Sequence, residues 1–356
     1  MGRFYSARHV LGFYRTTSAL AILSFPTEKL PDPDTWFKDR FYQALYKTVE
    51  AHPSLCYGIV DQTADREAVF LRLKTVQRDD VVEFLGQDSA ITNIKRDDLA
   101  VANLLETIHA RILGDGQQKP AWRVVVLKHG SQWNSGTNAK SQRVSIGFFA
   151  NHAIADGLSH INFHRTLLHF CKTSLTEECK WPYNVPRDLR TPILLEEVVD
   201  LRITDENDKS NINYFSPSIW SGANMFLPSV EDYESGLRFI TVPQAEVKKV
   251  VDFCRSRKIT LTGMLHGLLV AFLSKHVPEG HEFLAVTPYS MRSVSKVSDD
   301  EICNHASGLV HEFTKTLVSS LRSTRENSAE ELDLIVEVGR IFGSDMTAEL
   351  KRCPKK

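Results

Sequence analysis

The sequence lacks the features that mark several large protein classes. It has no apolar run approaching the roughly 18–20 residues that a membrane-spanning helix needs. Its six cysteines form no CxxC or other metal-ligand spacing, a pattern typical of reduced thiols in a protein that faces the cytosol. A net charge of −1, with basic residues scattered along the chain, argues against nucleic-acid binding. A GxSxG sequence is also absent, so no nucleophilic serine elbow is indicated.

These absences lead us to expect a cytoplasmic protein that binds no nucleic acid and contains no transmembrane segment. We expect it to be a monomer. The segment 2–14 is aromatic and basic, and the family resemblance given below implies a short helix there. Its apolar residues leave peripheral contact with an endoplasmic-reticulum or lipid-droplet surface open, and packing on the protein's own core is an equal alternative.

The length of 356 residues favours two domains. Alternating strand and helix patterns fill residues 1–180 and resume over 236–356. The segment between them contains five prolines and the polar run TDENDKSN, which is typical of a crossover. The sequence therefore predicts an α/β protein with an N-terminal half (1–180), a linker (181–235) and a C-terminal half (236–356).

Two helices have clear apolar periodicity. The first is predicted over 36–51, capped by Asp34 or Thr35, with one face made of Phe37, Phe41, Ala44, Leu45, Thr48 and Val49. The second is predicted over 261–276, capped by Thr260, with its face made of Leu261, Leu265, Leu268, Leu269 and Phe272.

The chain is organised around residues 143–170. Arg143 to Ala150 has the alternation and apolar end of a strand that runs into a core. The break HAIADG follows, and helical spacing then begins at Leu158. Its predicted apolar side consists of Leu158, Ile161, Leu168 and, less regularly, Phe163 and Leu167. A histidine thus comes just after the end of a buried strand, and an aspartate and a glycine precede a helix.

This arrangement suits general-base chemistry. The imidazole of His152 can accept a proton near neutral pH, and a strand end would hold it rigidly. Asp156 can accept local backbone N–H bonds and fix the turn, or pair with a buried cation. Gly157 is expected to allow a positive φ. The alternative is an ordinary loop histidine that precedes a helix cap.

A zinc site is a second alternative, because His160 and His164 are four residues apart on a helix. The glutamate of an HExxH motif is missing and no third ligand stands out, so we expect no metal site. Two histidines on the polar face of a helix are the preferred interpretation.

The HAIADG segment resembles the HxxxDG motif of the superfamily that includes chloramphenicol acetyltransferase, plant BAHD acyltransferases and peptide-synthetase condensation domains. Within that superfamily, the chain most resembles the fungal alcohol O-acetyltransferases. The resemblance extends to the strand–helix–helix–strand succession that ends at PYSMR, residues 288–292, and to the small-residue segment 303–308. It implies two chloramphenicol-acetyltransferase-like halves, each a mixed β-sheet with helices.

The resemblance implies a specific reaction. His152 would remove the proton from an alcohol, and the oxygen would attack acetyl-CoA directly, without an acyl-enzyme. Asp156 would be structural, and Arg292 is the candidate cation that pairs with it. Acetyl-CoA would be a co-substrate, with no permanently bound cofactor. The residues that bind CoA are not identifiable, and we assign no role to His305.

The resemblance also leaves alternatives open. Family members usually continue with further strands after the helices of 317–351, so the second half is expected to be incomplete. A catalytically inactive or truncated member that acts as a scaffold or binding protein is therefore one alternative. A condensation-type acyltransferase with another acyl donor is the other, although such domains usually have a second histidine where Asn151 stands.

Overall fold

The computed structural model describes residues 9, 16–27, 30, 32–60, 68–85, 97–111, 113, 116–128, 141–173, 179–199, 216–220 and 236–352. The segment 2–14, predicted as a helix, lies outside the described residues apart from His9. The chain forms two compact units. The first contains the described residues up to Val198 together with 236–239 and Lys296–His305, and the second contains 216–220, Ile240–Ser295 and Ala306 onward. The first unit thus takes in short segments that the sequence suggested for the C-terminal half.

The strands are β1 (Thr17–Pro26), β2 (Tyr57–Val60), β3 (Val69–Arg72), β4 (Thr75–Val76), β5 (Val82–Leu85), β6 (Trp122–Lys128), β7 (Ser141–Ala150), β8 (Tyr183–Asn184), β9 (Phe283–Ser290) and β10 (Ala306–Phe313). The helices are α1 (Pro33–Ala51), α2 (Arg78–Val81), α3 (Asp97–His109), α4 (Gly157–Lys172), α5 (Leu195–Val198), α6 (Gln244–Ser256), α7 (Leu261–His276), α8 (Arg292–Ser295), α9 (Lys315–Ser323) and α10 (Ala329–Arg352). No helix among the described residues is both long enough and apolar enough to cross a membrane.

Helix α1 confirms the predicted apolar face and corrects the predicted cap. The side chain of Asp32 accepts hydrogen bonds from the backbone N–H groups of Asp34 and Thr35, each at 3.1 Å. Pro33 occupies the first helical position, where its missing N–H costs no hydrogen bond and its fixed φ suits the helix. The cap therefore lies before Pro33, whereas the prediction placed it after this proline, at Asp34 or Thr35. The buried residues are Phe37, Phe41, Ala44, Leu45, Thr48 and Val49.

Strand β7 is an interior strand of the first unit's main sheet, which has the order β1-β7-β6-β5. It pairs antiparallel with β1 and β6, while β5 pairs parallel with β6, so the sheet is mixed as predicted. Phe148 of β7 stacks on Phe163 of α4 with ring centroids 3.9 Å apart, and both rings are fully buried. Burial of a phenylalanine stabilises a fold by about 1.5–3 kcal/mol, so this pair fixes α4 firmly on the sheet.

The second unit has less sheet among its described residues. Strands β9 and β10 form an antiparallel pair, and a single parallel bridge joins Ile219 to Glu282. Helix α7 contacts α10 through small residues: a β-carbon at Gly263 would lie 2.6 Å from the Gly339 carbonyl oxygen. The predicted apolar face of α7 is therefore wrong. The leucines and phenylalanine that define it are 38–58 % exposed, because the glycine side of the helix makes the close contact.

Candidate functional site

The turn after β7 is fixed by its own backbone. The Asn151 N–H donates to the Ala121 carbonyl at 2.9 Å, which continues the pairing with β6. The Asn151 side-chain oxygen accepts from the Ala153 N–H at 2.9 Å, and the Ile154 N–H donates to the Asn151 carbonyl at 3.0 Å. His152 therefore projects from a turn whose position is set by an interior strand.

The ring of His152 is half-buried, and one of its nitrogens has a defined role. Nδ1 lies 2.9 Å from the backbone carbonyl oxygen of Ala155. A carbonyl oxygen can only accept, so Nδ1 carries the hydrogen and Nε2 is the basic nitrogen of the neutral imidazole. The three-residue turn thus selects the tautomer, which is what a general base requires.

Asp156 is the cap of α4 and also an anchor for a distant segment. One carboxylate oxygen, Oδ1, accepts from the Ser159 N–H at 2.9 Å, and the other, Oδ2, accepts from the His305 N–H at 3.1 Å. The Ser159 hydroxyl lies 2.8 Å from Oδ1 and 2.7 Å from the Cys303 carbonyl oxygen, and it accepts from the Cys303 N–H at 3.0 Å. The carboxylate is 3 % exposed, and several fixed donors replace its water.

Gly157 does not have the conformation that the sequence suggested. Among the described residues, Gly280 is the glycine with a positive φ, and Gly157 is the first residue of α4. A β-carbon at Gly157 would meet no atom within 4 Å. The backbone therefore does not require glycine here, because capping by Asp156 already makes the turn into the helix.

Residues 299–305, which we call the strap, bind the site from far along the chain. The Asn304 side-chain amide donates to the His152 carbonyl oxygen at 2.6 Å, and the Asp156 N–H donates to the Cys303 carbonyl at 3.1 Å. The Ser54 hydroxyl donates to the Ile302 carbonyl at 2.5 Å, and the Ile302 side chain is 1 % exposed in the first unit's core. His305, to which the sequence assigned no role, contributes its backbone N–H to Asp156 and its Nε2 to a 3.0 Å hydrogen bond with the Ile193 carbonyl.

Helix α4 has polar side chains on the side that faces β1. His160 and His164 were expected on the polar face of the helix, but they lie on this inward side. His160 Nε2 lies 2.8 Å from the Thr17 hydroxyl, and His164 Nε2 lies 3.0 Å from the Ala19 carbonyl oxygen on β1. Ile161, predicted to be on the apolar side, is 52 % exposed. Among the described residues, no group of three or more His, Cys, Asp or Glu side chains is arranged to hold a metal ion.

Burial makes His160 a weak base. Desolvation, reinforced by the nearby His164 and His152 rings, lowers the pKa of His160 to about 4. Its Nδ1 is buried without a hydrogen-bond partner. The ring therefore stays neutral at physiological pH, and it packs against Phe148 with centroids 5.2 Å apart.

Arg292 begins α8 in the second unit and is buried, with 3 % exposure. Burial of a guanidinium requires compensating hydrogen-bond acceptors. Its pairing with Asp156 remains a prediction.

Space behind the motif turn is minimal. A cavity of about 10 Å³, which has room for about one water molecule, is bordered by Ala153, Ile154 and Asn304 among others. No substrate fits there, so this side of the turn is packed and supports it.

Reasoning from sequence missed Ser159 and Asn304. The hydrogen bonds join positions more than 140 residues apart, and short-range spacing contains no signal for such pairs. The one available hint was the capping position of Ser159, three residues after Asp156.

Residues 38–182 match the model of the alcohol acetyltransferase family. The matched region contains the motif turn and α4 but ends before the strap. A probable alcohol acetyltransferase of Fusarium pseudograminearum, FCK4, is 23 % identical to the chain over 349 residues. The alignment covers 92 % of this chain and 68 % of FCK4.

Two solved structures share the fold. TRI3 trichothecene 15-O-acetyltransferase from Fusarium sporotrichioides superposes with a TM-score of 0.65 at 13 % identity, covering 98 % of this chain and 71 % of that one. TRI101 of F. sporotrichioides, solved with coenzyme A and T-2, gives a TM-score of 0.55 at 11 % identity, covering 98 % and 74 %. The predicted resemblance and the α/β fold class with two halves are thereby confirmed.

Proposed function

Since the chain is an acyltransferase related to the fungal alcohol acetyltransferases, we propose that it transfers an acetyl group from acetyl-CoA to the hydroxyl of a small-molecule alcohol. The family match over 38–182 supports the reaction class, and the coenzyme A bound in TRI101 supports the donor. The observation that carries the proposal is the Nδ1 hydrogen bond of His152 to Ala155, which leaves Nε2 as the basic nitrogen.

In the proposed mechanism, Nε2 of His152 removes the proton from the alcohol hydroxyl as the oxygen attacks the thioester carbonyl of acetyl-CoA. The C–S bond then breaks, and the thiolate takes the proton from the imidazolium, which gives the acetyl ester and free CoA. General-base assistance of this kind contributes about 10²–10⁴-fold to rate. Asp156 does not touch the substrate; it caps α4 and receives the strap, which keeps the turn rigid.

Several finer features remain predictions. They include the pairing of Arg292 with Asp156, the monomeric state, and a cytoplasmic location with or without contact to endoplasmic-reticulum or lipid-droplet surfaces. The identity of the alcohol is open, so a panel that spans short-chain alcohols, sterols and trichothecene-type hydroxyls is appropriate.

The test is thiol release from acetyl-CoA by the purified chain, measured with and without each alcohol. We expect alcohol-dependent release that falls by about 10²–10⁴-fold in His152→Ala, because the proton acceptor is lost. His169→Ala is the matched control, since His169 is exposed on α4, and it should keep wild-type activity.

Three results would contradict the proposal. Full activity in His152→Ala would remove the general base from the mechanism. A folded wild-type chain that releases no thiol with any alcohol would favour the inactive scaffold, and activity only with a carrier-bound acyl group would favour the condensation-type reaction.

A further inference from the structure

The strap contacts the motif turn at both ends of the HAIAD sequence. At one end, the Asn304 amide holds the carbonyl of His152, and at the other, the His305 N–H and the Cys303 carbonyl hold Asp156. Further along α4, the Asn162 amide donates to the Asp299 carbonyl, and Arg165 pairs with Asp300 at 3.1 Å. The strap is therefore seated along the turn and the first turns of α4.

Asn304 differs from the other strap contacts because it touches the backbone of the histidine itself. Its side chain is 8 % exposed, and its Nδ2 lies 2.6 Å from the His152 carbonyl oxygen. That carbonyl belongs to the peptide that links His152 to Ala153. The imidazole of the same residue is held through Nδ1 by the Ala155 carbonyl. One hydrogen bond orients the backbone and the other orients the ring.

We propose that Asn304 is a positioning residue for the base: by fixing the peptide after His152, it sets the direction in which Nε2 presents its lone pair. The proposal rests on the proposed function for its kinetic part and on the hydrogen bond for its structural part. The chemistry requires a donor at this position. A carboxylate of the same shape has no hydrogen to give at neutral pH and would repel the carbonyl oxygen.

The kinetic test compares Asn304→Asp and Asn304→Ser with the wild type in the thiol-release assay. Misplacement of a reacting group by about 1 Å costs on the order of 10²-fold in rate. We therefore expect kcat to fall by about 10–100-fold in Asn304→Asp while KM for both substrates changes by less than about 3-fold. Asn304→Ser retains a donor and should recover part of kcat. Asn184→Asp, at an exposed position of β8, is the matched control and should behave as wild type.

A second readout does not depend on activity. We expect amide hydrogen exchange over residues 152–156 to accelerate in Asn304→Asp and to stay unchanged in Asn184→Asp. We also expect the carbethoxylation rate of His152, followed by peptide mass spectrometry, to change only in the Asn304 variants. These two measurements still test the role of Asn304 if the wild type shows no turnover. Absence of turnover would contradict the proposed function but not the positioning role.

The inference is overturned by any of three results. Unchanged kcat together with unchanged hydrogen exchange in Asn304→Asp would show that the hydrogen bond does not orient His152. A parallel fall of kcat, thermal stability and substrate affinity would show a structural role only. Equal inactivity of Asn304→Ser and Asn304→Asp, with both folded and equally exchanging, would show that the donor is not what matters.

Discussion

Helices α4 of the first unit and α7 of the second are both 16 residues long, yet the residues that they bury differ in chemistry. Helix α4 buries the polar residues Ser159, His160 and Asn162 beside two apolar ones, Phe163 and Leu167, and leaves Ile161 half exposed. Helix α7 buries two glycines beside other small and apolar residues, and it leaves Leu269 and Phe272 more than half exposed. The difference follows from the partners available. Around α4, hydroxyl, carbonyl and N–H groups pair with the buried polar side chains apart from Nδ1 of His160, whereas along α7 the backbone of α10 comes so near that only small residues fit.

The largest effect should come from filling the α7–α10 contact. A β-carbon at Gly267 would lie 2.4 Å from the Ile335 carbonyl oxygen, and a backbone atom cannot move aside as a flexible side chain can. We expect Gly267→Val to lower the free energy of unfolding by about 3 kcal/mol, because overpacking forces the helices apart. Urea unfolding measures the change.

The control for this substitution is Gly343→Ala on α10, where a β-carbon would meet nothing within 4 Å. It should stabilise the protein by about 0.5–1 kcal/mol through helix propensity. A Gly267→Val protein that unfolds like the wild type would show that the close contact does not hold the two helices.

A smaller effect should follow from acidification, which acts on the buried polar stripe of α4. The pKa of His160 is about 4 in the folded chain, against an ordinary value of 6.5. The unfolded state therefore binds more protons between these values, so the stability that the neutral ring contributes is complete above pH 6.5 and is lost as the pH falls toward 4. We expect the protonation of His160 to lower the free energy of unfolding by about 2 kcal/mol when the pH falls from 7 to 5, as measured by urea unfolding at the two pH values.

His160→Gln should remove the part of the loss of unfolding free energy between pH 7 and pH 5 that comes from His160. This expectation does not depend on how stable the variant is at pH 7. Burial also lowers the pKa of His52, His109 and His164, so part of the sensitivity will remain. His169→Gln, at the exposed side of α4, should leave the full pH dependence in place. Equal pH dependence in the wild type and His160→Gln would contradict the assignment.

The smallest effect should come from the exposed face of α7. Leu269 is 54 % exposed, and surface substitutions usually change stability by less than about 0.5 kcal/mol, so Leu269→Gln should unfold almost as the wild type does. Leu167 of α4 is 1 % exposed, and Leu167→Gln should lose several kcal/mol in the same assay. A loss above about 2 kcal/mol in Leu269→Gln would mean that this face is covered in solution.

The local sequence pattern was sufficient to predict an element where hydrophobic burial alone determines which residues face the core. The buried face of α1 follows its apolar period residue for residue, and strand β7 with the break at His152 is where alternation and turn chemistry predict it. The predicted cap of α1 was two or three residues too late, because a proline usually ends a helix whereas Pro33 is suited to the first helical position.

Only part of the candidate site could be predicted from the sequence. His152 and Asp156 stand in one short motif, whereas Ser159 and Asn304 acquire meaning only when residues 299–305 reach the turn. The apolar side of α4 was predicted correctly at Phe163 and Leu167 but not at Ile161, and the face of α7 was misassigned, for a related reason. Hydrophobic periodicity depends only on the side chains of the helix itself. It contains no information on which neighbouring strand or helix packs against each side of that helix.

The strap also has a consequence for the order in which the protein is made. His152 and Asn304 are 152 positions apart, with β9 between them in the chain. At about 5–20 residues per second, the ribosome adds the residues between them in on the order of 10–30 s. Throughout that interval the residues of the motif turn and α4 cannot form the hydrogen bonds to Cys303, Asn304 and His305. The base of the nascent chain is thus present before the amide that steadies it.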